Sequence, residues 1–493
     1  MFVPLANIPG PHHNILMRLT ERTFFICRKR KYARLPPALP LTHGISDHLP
    51  FVTILRPVKG VDPLLHLCLE SAALLQYPKS KYELIFCVAS PHDPAVPVIR
   101  NVITTHLGVN ARVLIGEEDV GPNPKIRNLS KGYREARGDI VWILDSNIWV
   151  PPGILDRSVR LLEGFDRGGR GYKLVHHLPL CVDVAPEYRQ PWSASSPPMS
   201  TFNGNPTSHL PGHMPWQSFW SHWWPIGGGR LEENFLASSH CKFYTAINTV
   251  AIAPCIVGKS NMFRRSHLAE VTRDLEGRTE KEGLLAFAEN ICEDHLLAER
   301  LWLTPISDEK NGVRDWGRHG MGEDVVIQPV SGMSVVDYLA RRTRWLRVRK
   351  YTTLWATLVE PGTECFLCSF LGAYALTTLP AFRSYVPATW SALAVSWLVG
   401  VIIWAAADYS LFRFMHSYRC VEIDENTPRF IVEMPKRNFN EWLAQWIGRE
   451  FFALWIWLWA MWPGEVNWRG GRYKVRWKDS RVEEIRRSSE KKD

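Results

Sequence analysis

Four short apolar runs, separated by stretches of helical pattern, constrain this chain more than any other feature: residues 51–55, 82–88, 111–115 and 140–144. The connecting segments 63–76, 95–107 and 125–136 read as helices, the first closed by Tyr77-Pro78. A strand that is apolar throughout, rather than alternately, is covered on both faces, and strands joined through helices run parallel. The expected fold is therefore α/β: a mostly parallel sheet with helices on both faces. Ligands of such sheets lie beyond the carboxyl ends of the strands. Residues 56–60, 90–93, 116–123 and 145–147 are accordingly the first to inspect.

This pattern opens a domain expected to span residues 51–350. Within it, residues 190–229, rich in Pro, Ser, Gly and Trp, and the polar stretch 307–324 read as loops or insertions. Residues 245–257 read as strand-like and residues 284–302 as helical. Residues 1–50 hold only short apolar stretches, none reaching the roughly 18 residues a spanning helix needs.

Charge disappears in three places within residues 351–493: 366–382, 384–407 and 451–464. The second is long enough to span a bilayer at about 1.5 Å per residue. The basic run 341–350 precedes the first and marks the preceding domain as cytosolic. Two crossings return Arg413 and Arg419 to the same side, and the basic tail 469–492 favours a re-entrant or interfacial third segment. The chain carries 22 Trp, a residue that favours the membrane interface. The net charge of +10 suits anionic lipid or nucleotide phosphate, and without a basic helix interleaved with aromatics it does not point to nucleic acid. The scattered cysteines fit reduced thiols facing the cytosol, and the lone Cys365-x-x-Cys368 opens an apolar segment with no second pair for zinc.

Several residues could carry chemistry. Asp145, ending an apolar run, is either a cap for the turn or a contact for metal and ligand; a full Asp-x-Asp is absent from Asp145-Ser146-Asn147. Asp93 follows the second run, and its alternative is an Asx-turn. Glu293-Asp294 is either a solvated helix start or a general base, the latter worth about 10²–10⁴ in rate. Arg341-Arg342-Thr343-Arg344-Trp345 suits pyrophosphate, which guanidinium binds bidentately, and equally suits a positive anchor beside the bilayer. His240 is either a structural histidine or part of a site.

In this order the segments resemble the ceramide glucosyltransferases, membrane enzymes with a GT-A fold. The resemblance runs from about residue 51 to 476. It rests on Leu55-Arg-Pro-Val-Lys-Gly-Val-Asp-Pro63, Pro122-Asn-Pro-Lys-Ile-Arg-Asn-Leu129, Ile143-Leu-Asp-Ser-Asn147, Glu293-Asp294, Arg341-x-x-Arg344-Trp345 and Trp468-Arg-Gly-Gly-Arg-Tyr473. The family's signature of three Asp followed by (Gln/Arg)-x-x-Arg-Trp falls on Asp93, Asp145, Asp294 and then Arg341, Arg344 and Trp345. His240 matches a family histidine implicated in activity, and Lys125 and Asn128 match a segment that lines the nucleotide pocket in related enzymes. The resemblance implies UDP-glucose as donor, its uridine near Arg56, Lys59 and Asp93. It implies a divalent cation, Mg²⁺ or Mn²⁺, held by Asp145. It implies Asp294 as the base that deprotonates the primary hydroxyl of ceramide, giving a β-glucoside by inversion at a Golgi or ER membrane with the catalytic domain in the cytosol. Members of the family usually begin with a transmembrane helix, and no stretch of residues 1–50 reaches that length. Residues 190–229 have no counterpart in the family pattern.

Two other readings compete. Processive polysaccharide synthases of the chitin, cellulose or hyaluronan type share x-x-Arg-Trp but usually carry Gln at its first position and a full Asp-x-Asp. A non-catalytic lipid-binding adaptor on the same scaffold would not need three Asp and the Arg motif together.

Overall fold

The computed structural model describes residues 48–165, 169–184, 224–251, 253–273, 282–417, 420–433, 437–462, 464–468, 471–476 and 480–485. The N-terminal segment 1–47, residues 190–223 of the expected insertion and the end of the basic tail lie outside the described residues.

In chain order the first half contains β1 (Val52–Val58), α1 (Leu65–Ser71), β2 (Tyr82–Val88), α2 (Ala95–Thr105), β3 (Asn110–Ile115), α3 (Pro124–Glu135), β4 (Ile140–Leu144), α4 (Ile154–Glu163) and β5 (Leu174–Asp183). There follow α5 (Gly228–Phe235), a π-helical turn (Leu236–His240), α6 (Cys241–Val250), β6 (Ser260–Arg264), α7 (Arg265–Arg273), α8 (Glu293–Leu303), α9 (Ser307–Lys310) and β7 (Gly320–Val330). The remainder contains α10 (Val335–Thr352), α11 (Leu354–Val359), α12 (Cys365–Thr378), α13 (Trp390–Met415), α14 (Arg429–Val432), α15 (Phe439–Met461), β8 (Val466–Trp468), β9 (Gly471–Val475) and β10 (Val482–Glu484).

The main sheet has seven strands in the order β3-β2-β1-β4-β6-β5-β7. Its strands are parallel except β6, which runs antiparallel to both neighbours. Every residue of β1, β2 and β4 is buried, as their unbroken apolar runs require. Alternate side chains leave opposite faces of the sheet. Ile54, Phe86 and Trp142 join the cluster under α1, α2 and α4, whereas Leu55, Ile85 and Val141 join the cluster under α3, α7 and α8. The GT-A-like, mostly parallel expectation holds.

The chain leaves β1 toward β2 on one side and returns to β4 on the other, so a crevice opens at their carboxyl ends. Arg56 fixes its floor. Fully buried, it donates from Nη2 to the carbonyls of Asp145, Ser146 and Ile148, at 3.0, 3.0 and 2.9 Å.

Three local expectations are corrected. The described residues of 245–257 form no strand: Thr245 to Val250 complete helix α6, and the strand begins at Ser260. The β-branched residues there favour a strand, but Cys241 and Tyr244 are buried against β5 and β7, and this packing overrides propensity. The segment 307–324 is not all loop, because it contains α9 and the first residues of β7. The segment 284–302 is two elements, a 3₁₀ turn (Gly283–Phe287) and then α8.

At the other end, α13 is long and apolar enough to cross a membrane, by length and composition. It packs against α12, where Ser369 meets Gly400 closely and Trp397 Nε1 donates to the Phe366 carbonyl at 3.1 Å. Residues 451–464 are mostly the second half of α15, a helix that also contains Glu441, Arg449 and Glu450. Its lipid-like face (Phe451, Trp455, Leu458 and Trp459) is exposed, while Trp446 and Arg449 turn inward onto Asp408 of α13, each at 3.0 Å.

Candidate active site

The site is built at the carboxyl end of β4. Asp145 follows that strand directly, and its carboxylate meets two ammonium groups: Lys125 Nζ lies 3.1 Å from Oδ1 and Lys259 Nζ 3.1 Å from Oδ2. Lys125 comes from the first turn of α3. Asn123 caps that helix, its Oδ1 accepting from the backbone N–H groups of Lys125 and Ile126 at 2.8 and 3.1 Å, with Pro124 at the first helical position. The Asn123 amide also donates to Glu293 Oε2 at 3.1 Å and to the Asn290 carbonyl at 2.6 Å. One residue thus ends a loop, starts a helix and ties down the acidic pair.

Glu293 and Asp294 open α8. Lys125 Nζ is 3.2 Å from Glu293 Oε1 and donates to the Gly258 carbonyl at 3.1 Å. Gly258 separates Lys125 from Asp294: a Cβ there would lie 2.9 Å from Asp294 Oδ2 and 3.2 Å from Lys125 Nζ. Burial raises the pKa values of both acidic groups, opposed by the charge of Lys125. Three carboxylates within reach push the Lys125 pKa upward despite its burial. Lys259 goes the other way, lowered by burial, with Asp145 opposing and the charge of Arg341 adding to the effect.

Arg341 lies on α10, which starts with a capping box: Ser334 Oγ accepts from the Asp337 backbone N–H at 3.0 Å. Arg341 pairs with fully buried Glu232 of α5 (Nε to Oε1, 3.1 Å) and donates to Gln328 Oε1 of β7 at 3.1 Å. Its guanidinium stands over the Trp345 ring, 4.9 Å from the centroid. Trp345 packs with Leu231, Phe235 and Ile456, joining α10 to α5 and α15. Arg344 is half-buried on the same helix.

The other expected residues have different positions. Asp93 makes an Asx-type turn: its Oδ1 accepts from the Ala95 N–H at 2.9 Å, and both oxygens accept from the Gly60 N–H, at 3.0 and 3.1 Å. It holds the loop of exposed Lys59 at the end of β1, where Gly60 has a φ of 69° that glycine tolerates. Arg56 and Asn128, expected near the nucleotide, are both buried and bonded to backbone carbonyls. Arg56 spends its Nη2 on loop carbonyls, and the Asn128 amide bridges the carbonyls of Val58 and Cys87, at 3.2 and 2.9 Å, tying β1 to β2. His240 ends the π-helical turn between Phe235 and Tyr244, ring centroids 5.7 and 5.4 Å away. Burial, with Arg342 and Arg349 adding, pushes its pKa down to about 3, so it is a neutral histidine.

Asp145 as a metal ligand does not fit this arrangement. A hard divalent cation needs several oxygen ligands at about 2.0–2.6 Å. Both Asp145 oxygens already face ammonium groups, and Asn147 Oδ1 accepts from Lys259 at 3.1 Å. Among the described residues no three His, Cys, Asp or Glu converge on one point.

Sequence reasoning missed Lys259, Gly258 and Glu232. A lysine two residues past the apolar run Cys255-Ile256-Val257, after Gly258, was the available signal for the first.

A family model described as glycosyl transferase family 21 matches residues 20–186 and 227–481. The chain belongs to this family. It is a glycosyltransferase, and its relatives span most of its length. A ceramide glucosyltransferase of Gibberella zeae is 42% identical over 481 residues, covering 91% of this chain and 88% of the relative. One of Pyricularia oryzae is 42% identical over 476 residues with the same shares. One of Candida albicans is 34% identical over 496 residues, covering 88% of each. Among solved structures, a mannosyltransferase of Pyrobaculum calidifontis in complex with GDP-Man and Mn²⁺ is similar at 14% identity, covering 90% of this chain and 97% of that one, with a TM-score of 0.35. In this family 21 enzyme, Lys125, Asp145, Glu293, Asp294 and Lys259 make one cluster at the crevice, with Arg341 within electrostatic reach.

Proposed function

We propose that the enzyme transfers glucose from UDP-glucose to the primary hydroxyl of ceramide, with inversion, giving β-glucosylceramide. The observation that carries this reading is Asp294, a carboxylate of raised pKa beside the lysine-clamped Asp145, in a chain 42% identical to ceramide glucosyltransferases. A base with its pKa nearer the working pH takes a proton from an alcohol more readily than an ordinary aspartate. The hydroxyl oxygen of ceramide attacks the anomeric carbon as Asp294 receives its proton. The bond from that carbon to the β-phosphate oxygen breaks, and its electron pair leaves with UDP. Arg341 and Arg344 add positive charge near that oxygen, a form of stabilisation that is strong where water is excluded. Asp93 holds the Lys59 loop at the nucleotide end. Lys125 bridges Glu293 and Asp145. With both Asp145 oxygens facing ammonium groups, no step passes through a divalent cation.

Ceramide stays in the bilayer, so the donor site must come to it. Helix α13 supports a membrane-spanning anchor and α15, with its outward Trp and Leu face, an interfacial one. The basic run that ends α10 supports a cytosolic catalytic domain, and the family supports a Golgi or ER membrane. Incubating purified protein in nanodiscs with labelled UDP-sugars and ceramide tests the whole reading. One β-linked glucose on the lipid is expected; a polymer, or no transfer with any UDP-sugar, would refute it.

A further inference from the structure

Where a metal-binding turn would hold its ion, this turn holds a lysine. Lys259 Nζ is 3.1 Å from Asp145 Oδ2 and 3.1 Å from Asn147 Oδ1, the two side chains that stand at the positions of an Asp-x-Asp pair. The second of the pair is a neutral amide, so the turn carries one negative charge instead of two. That charge is already matched: Lys125 lies 3.1 Å from the other Asp145 oxygen. A divalent cation added here would meet two ammonium groups within a few ångströms and would have to displace at least one.

The two lysines differ in what they have left to give. Lys125 directs its ammonium at Asp145 and Glu293, 3.1 and 3.2 Å away, and donates to the Gly258 carbonyl, so it is surrounded by protein groups. Lys259 donates to Asp145 and Asn147, and among the described residues one N–H group remains. Its side chain is 11% exposed, enough to touch a ligand at the crevice and too little to be well solvated. Burial lowers its pKa, and the charges of Arg341 and Lys125 lower it further against the opposing charge of Asp145, so an anion at the crevice would stabilise its charged form.

We propose that Lys259 takes the place of the divalent cation, binding the donor's diphosphate directly and balancing the charge that develops on the departing nucleotide. Asp145 and Asn147 then serve as the cradle that fixes the ammonium, and Lys125 as the strut that keeps Asp145 in position. Lys259 keeps its proton throughout; the only proton moved is the one Asp294 takes from the acceptor. The inference rests on the nucleotide-sugar reading proposed above.

The test uses the full chain in nanodiscs, with UDP binding by calorimetry, Mn²⁺ binding by electron paramagnetic resonance and transfer measured with and without EDTA. Wild type is expected to bind UDP and transfer sugar within about twofold in EDTA, and to leave Mn²⁺ in its free hexaaquo signal. Lys259→Met is expected to lose about 10²-fold in transfer, the size of effect seen on removing one preorganised charge-stabilising donor, with UDP affinity falling in parallel. Lys259→Arg should recover part of both. Lys259→Met combined with Asn147→Asp recreates an Asp-x-Asp turn and should bind Mn²⁺, with UDP affinity rising when Mn²⁺ is added. Wild type that dies in EDTA and revives on Mn²⁺, or Lys259→Met at wild-type rate, overturns the inference while leaving the donor reading intact. Wild type that binds no UDP under any condition overturns both.

Discussion

Gly258→Ala tests the site at the point where its geometry is tightest. The added methyl would lie 2.9 Å from Asp294 Oδ2, 3.2 Å from Lys125 Nζ and 3.3 Å from the Asp294 carboxyl carbon. Ordinary contact begins near 3.4 Å, so the carboxylate must retreat by about half an ångström and Lys125 by less. The Gly258 φ lies outside the left-handed region, so alanine strains no backbone there. Overpacking costs about 1–3 kcal/mol. Misplacing a catalytic group by about 1 Å can cost about 10²-fold, and half that shift in a base worth about 10²–10⁴ gives an expected fall in kcat of about 10–50-fold. UDP binding should change by less than about threefold, because Lys259 and Arg341 are not displaced. The assay is transfer of glucose to a short-chain ceramide in nanodiscs, with UDP affinity by calorimetry and folding by thermal midpoint. A variant that folds, binds UDP and turns over within about twofold of wild type would falsify the placement of Asp294 as the base.

Other perturbations separate the roles further. A base must be ionised, so rate is lost as pH falls through the raised Asp294 pKa; Lys125→Met removes the charge that opposes this rise and should move the acid limb of the pH–kcat profile to higher pH. An acid limb moved downward would contradict the assignment. The raised pKa also means that Asp294 contributes stability fully below the ordinary aspartate pKa and loses it as pH rises through the folded value, so EDTA-free melts of Asp294→Asn should exceed wild type most at alkaline pH. His240, near 3, stays neutral where the enzyme works, so His240→Gln should lower rate without changing the shape of the pH profile; loss of a limb near 6.5 would restore it as a titrating catalyst. Val482→Asp buries a charge in the small sheet and should destabilise it by about 3 kcal/mol, with transfer falling more than UDP affinity. Lys350→Met strips its bonds from the end of α15 and should reduce transfer to ceramide while leaving UDP affinity within about twofold; an equal fall in both would refute that division.

The sequence reveals strands where burial is two-sided and hides them where it is not. β1, β2 and β4 are apolar throughout and readable directly. β5 contains His176, His177 and Pro179, and β7 begins inside a polar stretch, so neither offers a run to recognise. His176 and His177 are buried because the fold supplies partners no local window contains: Tyr244 for one, Ser158 and Ser260 for the other. The site divides the same way. Asp145 and Asp294 could be suspected because each stands at the start or end of an element. Lys259 also stands near the end of an apolar run, but what gives it a role is Asp145, 114 residues away, and no local window contains both. Arg56 illustrates the same limit: nothing local shows that its Nη2 reaches the carbonyls of the loop beneath Asp145, 89 to 92 residues away.

The small C-terminal sheet makes sense only in relation to that site. Val482 N donates to the Glu289 carbonyl at 2.8 Å, Asn290 Nδ2 to the Ser480 carbonyl at 3.0 Å, and Arg481 pairs with Glu289 at 2.9 Å. The loop so gripped is the one whose Asn290 carbonyl accepts from Asn123 and which leads directly into Glu293 and Asp294. Ser480 Oγ also donates to the Tyr351 carbonyl at the end of α10, so the same strands hold both the acidic pair and the helix of Arg341. Helix α10 in turn ends by capping α15: Lys350 Nζ donates to the Ala460 and Met461 carbonyls at 2.9 and 3.3 Å, and Arg347 to those of Trp459 and Glu465 at 2.9 and 2.7 Å. Helix α15 is the one with the outward Trp face. On the reading proposed here, the depth at which that face settles in the bilayer sets the height of Arg341 and Asp294 above it, and one continuous set of hydrogen bonds carries that setting from lipid to crevice.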